Sequence, residues 1–95
     1  MQINIEAITN VVKTHLSEDA VLSVIDESEQ HRGHKGYNPK IGVTHIALNI
    51  EWKDFEGLSL IERHRLANAW LGDFFKQGLH AAKYCLKTPS ENTVL

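Results

Sequence analysis

The sequence predicts an α+β domain, a three-stranded sheet with helices packed on one face, and three stretches carry that expectation. "IEAITNVVKTHL" (5–16) spaces apolar residues by three and four, "THIALNIEW" (44–52) alternates apolar and polar residues, and "SLIE" (59–62) opens a second helix. The chain has 95 residues, enough for one core and too few for two. The expectation is a single domain over residues 1–95.

Ile5, Ile8, Val12 and Leu16 line one side of the first helix, with Asn4 as its N-cap. "AVLSVID" (20–26) is β-branched and too short for a helix, so it reads as a strand. In the next strand Ile46, Leu48, Ile50 and Trp52 share one face; His45, Ala47, Asn49 and Glu51 share the other. That alternation predicts an antiparallel sheet with one face on the core and one facing water or a partner. The connection between the two strands is about 14 residues, long enough to be functional or mobile.

Ser59 and Glu62 form a capping-box pair, and the helix that follows carries Ile61, Leu66, Trp70, Leu71 and Phe74 as its apolar stripe. Gly78 stops it, and "LHAAKYCLKT" (79–88) reads as a third strand. "TPSE" (88–91) resembles a last helix start, with Pro89 at the first helical position.

Composition narrows the function. A hydrophobic fraction of 42% and a charged fraction of 23% are those of an ordinary globular chain. The net charge of −2 provides no general attraction to phosphate backbones. Cys85 is the only cysteine, so no internal disulfide framework exists, and it reads as a small buried residue. "MQINIEAITNVVK" lacks the basic start and apolar run of a secretory leader, and no stretch is long enough to span a bilayer. The expectation is a cytoplasmic protein.

"HRGHKGYNPKIGVTH" (31–45) holds three of the six histidines and three of the six glycines. His31 and His34 lie three apart in an adaptable loop, where they are either metal ligands or solvated imidazoles. His45 sits on the non-core face of its strand, as a surface or hydrogen-bonded histidine. His80, between the helix-stopping glycine and the third strand, is anchored on one side and suits a ligand or a hydrogen-bond donor. Arg63 and Arg65 lie in the first turns of a helix, against its dipole. They either pair with nearby carboxylates or hold an anion, a nucleic acid or an acidic partner. No nucleophile elbow, phosphate loop or informative carboxylate pair is present, so a binding module is favoured over an enzyme.

"VIDES", "GVTHIALNI", "FEGLSLIERHRLANAWL", "GLHAA" and "KTPSE", in this order over nearly the whole chain, resemble the BolA-like family. The combination of Phe-x-Gly, Arg-His-Arg and His-Ala is specific. The resemblance implies the order α-β-β-α-α-β-(α), with a short helix around 53–57. It also implies a class II KH-like fold without the Gly-x-x-Gly clamp. "GHKG" (33–36) has the form of that clamp but lies between strands rather than helices, and it is not read as one. Two departures stand out: Ile46 where phenylalanine is usual, and Ala82 where leucine is usual.

The resemblance further implies a non-enzymatic partner of monothiol glutaredoxins with a CGFS site. Glutaredoxin cysteine, glutathione and histidines of the BolA-like chain share a [2Fe–2S] cluster in such complexes, in iron–sulfur assembly or iron regulation. His80 matches the family's histidine before the third strand, and the second ligand falls on His31 or His34. The isolated chain would hold no cofactor and would be a monomer or weak dimer. The alternative is a DNA-binding transcriptional regulator of stress response and morphology, using Arg63, Arg65, Lys53 and Lys76 in a helix-turn-helix-like region. A zinc or other histidine-only metal site in the hairpin loop is a third reading.

Overall fold

The computed structural model describes residues 2–91. The order is α1 (Ile5–Lys13), β1 (Val21–Asp26), a 3₁₀ turn (Ser28–His31), β2 (His45–Glu51), a second 3₁₀ turn (Lys53–Phe55), α2 (Leu60–Trp70), α3 (Gly72–Gln77) and β3 (Ala81–Lys87). This is the expected three-stranded α+β domain. The short helix implied around 53–57 is present as the second 3₁₀ turn.

The Asn4 side chain accepts a 2.8 Å bond from the Ala7 amide and caps α1, while Ile8 and Val12 are fully buried. The helix stops before Leu16. Thr14 Oγ1 turns back on the Val11 carbonyl at 2.6 Å, and the amides of His15 and Leu16 bond three residues back instead of four. Leu16 packs against the core from that tightened turn.

β2 is the central strand, and its alternation holds: Ile46, Leu48 and Ile50 are buried while Ala47, Asn49 and Glu51 are half-buried on the far side. Its pairing corrects the expected antiparallel sheet. β1 runs antiparallel to β2, with Leu22 opposite Ile50 and Val24 opposite Leu48. β3 runs parallel to β2, with Ile46 opposite Ala82, Leu48 opposite Tyr84 and Ile50 opposite Leu86. Two helices between β2 and β3 carry the chain back to the starting edge, as a parallel pair requires. Trp52 lies just beyond the strand, where its indole donates to Ser17 Oγ at 2.8 Å.

The helix predicted after Ser59 also differs. Ser59 Oγ accepts from the Glu62 amide at 3.1 Å as expected, but the helix breaks at Leu71 into α2 and α3. Its buried side runs through Arg63, Ala67, Leu71 and Phe74, whereas Ile61 is 64% and Leu66 37% exposed. Leu71 and Phe74 of the predicted stripe are thus in the core and Trp70 packs against it, but Ile61 and Leu66 are not, because Arg63 takes the core-facing position in the first turns. Arg63 Nε donates to the Leu58 carbonyl (3.1 Å), and Nη1 donates to the Leu86 carbonyl (3.0 Å). Its guanidinium also pairs with Glu91 at 2.7 and 3.1 Å.

At the end of β3, the Thr88 amide donates to Glu91 Oε1 (2.9 Å) and the Glu91 amide donates to Thr88 Oγ1 (3.3 Å), a reciprocal capping box. The helix expected to follow "TPSE" falls largely outside the described residues.

The core joins Ile8 and Val12 of α1 to Leu48, Phe55, Ala67, Leu71 and Leu86. On the opposite face of the sheet Val21 and Ile25 are 60% and 46% exposed. At the His45 end of that face the loop brings His31 over His45, and there the histidines meet.

Candidate functional site: a histidine cluster under the glycine-rich loop

The connection from Glu27 to Thr44 is a series of turns held at several points. Ser28 Oγ accepts from the amides of Thr44 (2.9 Å) and His45 (3.3 Å), which binds the 3₁₀ turn to the start of β2. The Glu27 amide donates to the His45 carbonyl at 2.8 Å. Further on, Glu29 accepts from Arg32 (2.9 Å) and from the Tyr37 hydroxyl (3.1 Å). The far end is fastened to the N-terminal segment, where the Ile3 amide donates to Ile41 and the Val43 amide donates to Ile3.

These anchors gather four imidazoles. His31, at the end of the 3₁₀ turn, stacks on His45 with ring centroids 3.9 Å apart and planes 8° from parallel. His34 meets the edge of His31 at 5.8 Å. His80 lies 5.3 Å from His45, tilted by 48°. Its backbone is fixed by a 2.8 Å bond from its amide to the Thr44 carbonyl, while the residue itself is exposed. A shallow cleft beside them is lined by Glu27, His31, His45, Ile46, Ala81 and Lys83. Lys83 pairs with Glu27 across its edge at 3.2 Å.

His45 is more than a surface histidine. It is 4% exposed, and its Nδ1 lies 2.8 Å from Thr44 Oγ1. Burial holds this imidazole below its ordinary pKa, and the neighbouring His31, His80 and His34 push in the same direction. Glu27 opposes them. Its place in the cluster was hidden in the sequence; the signal available was a histidine on the open face, directly after a long loop rich in glycine and histidine.

Among the described residues, no group of three or more His, Cys, Asp or Glu side chains converges well enough to hold a metal ion unaided. Cys85 is half-buried on the open sheet face rather than fully buried, opposite Asn49 and away from the histidines.

The cations named for a nucleic-acid or partner surface stand in different settings. Arg63, 4% exposed, is turned inward to two carbonyls and Glu91, which corrects its assignment as a contact residue. Lys53 pairs with Asp19 at 3.5 Å. Arg65 lies exposed beside Leu58, Glu62 and Leu66, and Lys76 is exposed on α3.

Helices on one face of a mixed three-stranded sheet, with histidines from a glycine-rich loop meeting one that precedes the last strand, define a small histidine-presenting α+β domain. A sequence model described as BolA-like protein matches residues 12–91, and the chain belongs to that family. It is 41% identical over 76 residues to the chloroplast protein BOLA1 of Arabidopsis thaliana, a match covering 79% of this chain and 48% of that protein. It is 45% identical over 73 residues to the chloroplastic/mitochondrial SufE-like protein 1 of the same plant, covering 74% of this chain and 20% of that one. The matches thus span about half, or less, of the length of these two relatives. The solved structure of BolA1 from Arabidopsis thaliana superposes with a TM-score of 0.82 at 33% identity, covering 98% of this chain and 99% of that chain.

Proposed function

We propose that this chain acts by binding rather than by catalysis, as the partner of a CGFS monothiol glutaredoxin with which it shares a [2Fe–2S] cluster. His80 and a loop histidine, His31 or His34, would be its contribution; glutaredoxin cysteine and glutathione would complete the ligand set. The observation that carries the reading is the meeting of an exposed, backbone-anchored His80 with the loop imidazoles across His45. Imidazoles gathered without a complete ligand set fit a site finished by a second protein.

A cluster bound there would supply one-electron chemistry, and histidine ligation in place of thiolate raises its potential. The chain's own residues orient the donors. β2 and the 3₁₀ turn fix His45, the Thr44 carbonyl fixes His80, and the glycine-rich loop presents His31 and His34. Because imidazoles must be neutral to ligate, such binding would release protons and weaken in acid.

The DNA-binding alternative has less support. Of its four cations Arg63 is buried and Lys53 is paired, and the net charge is −2. Specific DNA binding would show affinity falling steeply with salt in proportion to the phosphates contacted.

The test is visible absorption and circular dichroism of the chain mixed with a CGFS glutaredoxin, glutathione, iron and sulfide. Wild type should give a spectrum distinct from that of the glutaredoxin homodimer. His80→Ala should abolish it, and His31→Ala and His34→Ala should identify the loop ligand. A homodimer spectrum in every mixture would refute the reading.

A further inference from the structure

We propose that His45 and Gly36 are positioning residues that seat the glycine-rich loop so that His31, rather than His34, is presented beside His80. This deepens the cluster-sharing function and rests on it; its grounds are one contact made by His31 and one made by His80.

The first contact is the stack of His31 on His45. His45 is a fixed platform: it is buried at the start of β2, its ring is held by Thr44 Oγ1 at 2.8 Å, and its amide by Ser28 Oγ. A flat face of this kind accepts one loop imidazole. His31 occupies it at 3.9 Å and 8°, while His34 meets only the edge of His31, at 84°. Rotation of the His31 ring is thereby restricted, as a preorganised ligand requires.

The second contact lies five residues along the same loop. Gly36 has φ +88°, and a Cβ placed on it would sit 2.2 Å from His80 Cγ and 2.4 Å from His80 Nδ1. The loop backbone therefore rests directly on the His80 ring, and only glycine leaves room for it. Gly33 provides the contrast: its φ is +79°, yet a Cβ there would meet nothing within 4 Å. Backbone strain from alanine would be similar at both positions, but only at Gly36 would the methyl group displace His80. The His45 ring is thus covered by His31 and the His80 ring is met by the Gly36 backbone, so the loop is seated against both at two points.

The experiment compares His45→Ala, His45→Phe, Gly36→Ala and Gly33→Ala with His31→Ala and His34→Ala. In the free chain, imidazole NMR should show the His31 ring protons losing their stacking shift in His45→Ala and retaining one in His45→Phe. The His80 ring resonances should move in Gly36→Ala and not in Gly33→Ala. In the glutaredoxin mixture, His45→Ala and Gly36→Ala should lose the heterodimer dichroism as His31→Ala does. His45→Phe, Gly33→Ala and His34→Ala should keep it.

If His45→Ala and Gly36→Ala both kept the wild-type spectrum while His31→Ala lost it, positioning would be overturned and the shared cluster would stand. Loss in His34→Ala with His31→Ala unaffected would overturn the choice of His31. If no variant, His80→Ala included, departed from wild type, the cluster reading would fail and this inference with it. Gly36→Ala lies in a surface loop outside the core, so a fold defect in His45→Ala would not leave the question open.

Discussion

Replacing Arg63 with methionine should destabilise the protein by about 3 kcal/mol. The guanidinium is 4% exposed, donates to the carbonyls of Leu58 and Leu86, and lies 5.7 Å from the Phe55 ring centroid. Charge-assisted bonds of this kind contribute about 1.5–3 kcal/mol each, and methionine would retain the packing of the aliphatic stem while leaving both carbonyls unpaired. For a domain of this size each kcal/mol moves the midpoint by about 4–8 °C, so Tm should fall by about 12–24 °C. Thermal melts followed by far-ultraviolet circular dichroism, with urea titrations read from Trp52 and Trp70, would measure it. Arg63→Lys should fall between the two, because an ammonium lacks the fork that reaches both carbonyls and Glu91 together. A Tm within about 3 °C of wild type would refute the reasoning, since the side chain would then have to be dispensable to the fold.

The Glu91 carboxyl is held at about 2 by the Arg63 guanidinium, with a further contribution from the Thr88 amide. A pKa depressed in the folded state stabilises fully above the unfolded value, and the contribution is lost as pH falls from about 4.5 toward 2. Glu91→Gln should therefore remove part of the acid-side loss of stability in that window, which urea midpoints measured across pH would detect. Ile61→Ser should change stability by no more than about 0.5 kcal/mol, whereas Leu71→Ala, at a fully buried position, should cost about 2–5 kcal/mol. Equal costs in denaturant titrations would put Ile61 back on the core side beside Leu71, as the sequence predicted. Burial pushes the Tyr84 phenol up to about 12, so alkaline ultraviolet titration should show a late tyrosine that disappears in Tyr84→Phe.

Periodicity revealed the elements whose polar residues all face outward. The face of β2 was legible because Ile46, Leu48 and Ile50 alternate strictly, yet alternation says nothing about the direction of a neighbouring strand. The parallel pairing with β3 follows instead from the helices between them. The first turns of α2 were misread because a periodicity argument excludes arginine from the core, and Arg63 enters it bonded to Leu58 nearby and to Leu86 and Glu91, which are distant in sequence. Of the site, His31, His34 and His80 were legible through residue type and position relative to glycine. The stacking of His31 on His45 and the fit of Gly36 to His80 depend on tertiary contact between loop, β2 and the start of β3.

The direction of β3 has a consequence for the order in which this molecule assembles. The antiparallel ladder of β1 and β2 joins neighbours in the chain, while β3 can register against β2 only after α2 and α3 have completed the crossover. Non-local pairing of that kind carries the loop-closure entropy that slows folding. His80 heads β3, so the cluster of imidazoles is completed only when that last strand docks. Any local opening that releases β3 takes the site apart while β1 and β2 stay paired, so a chain able to present both His31 and His80 is one that has finished folding.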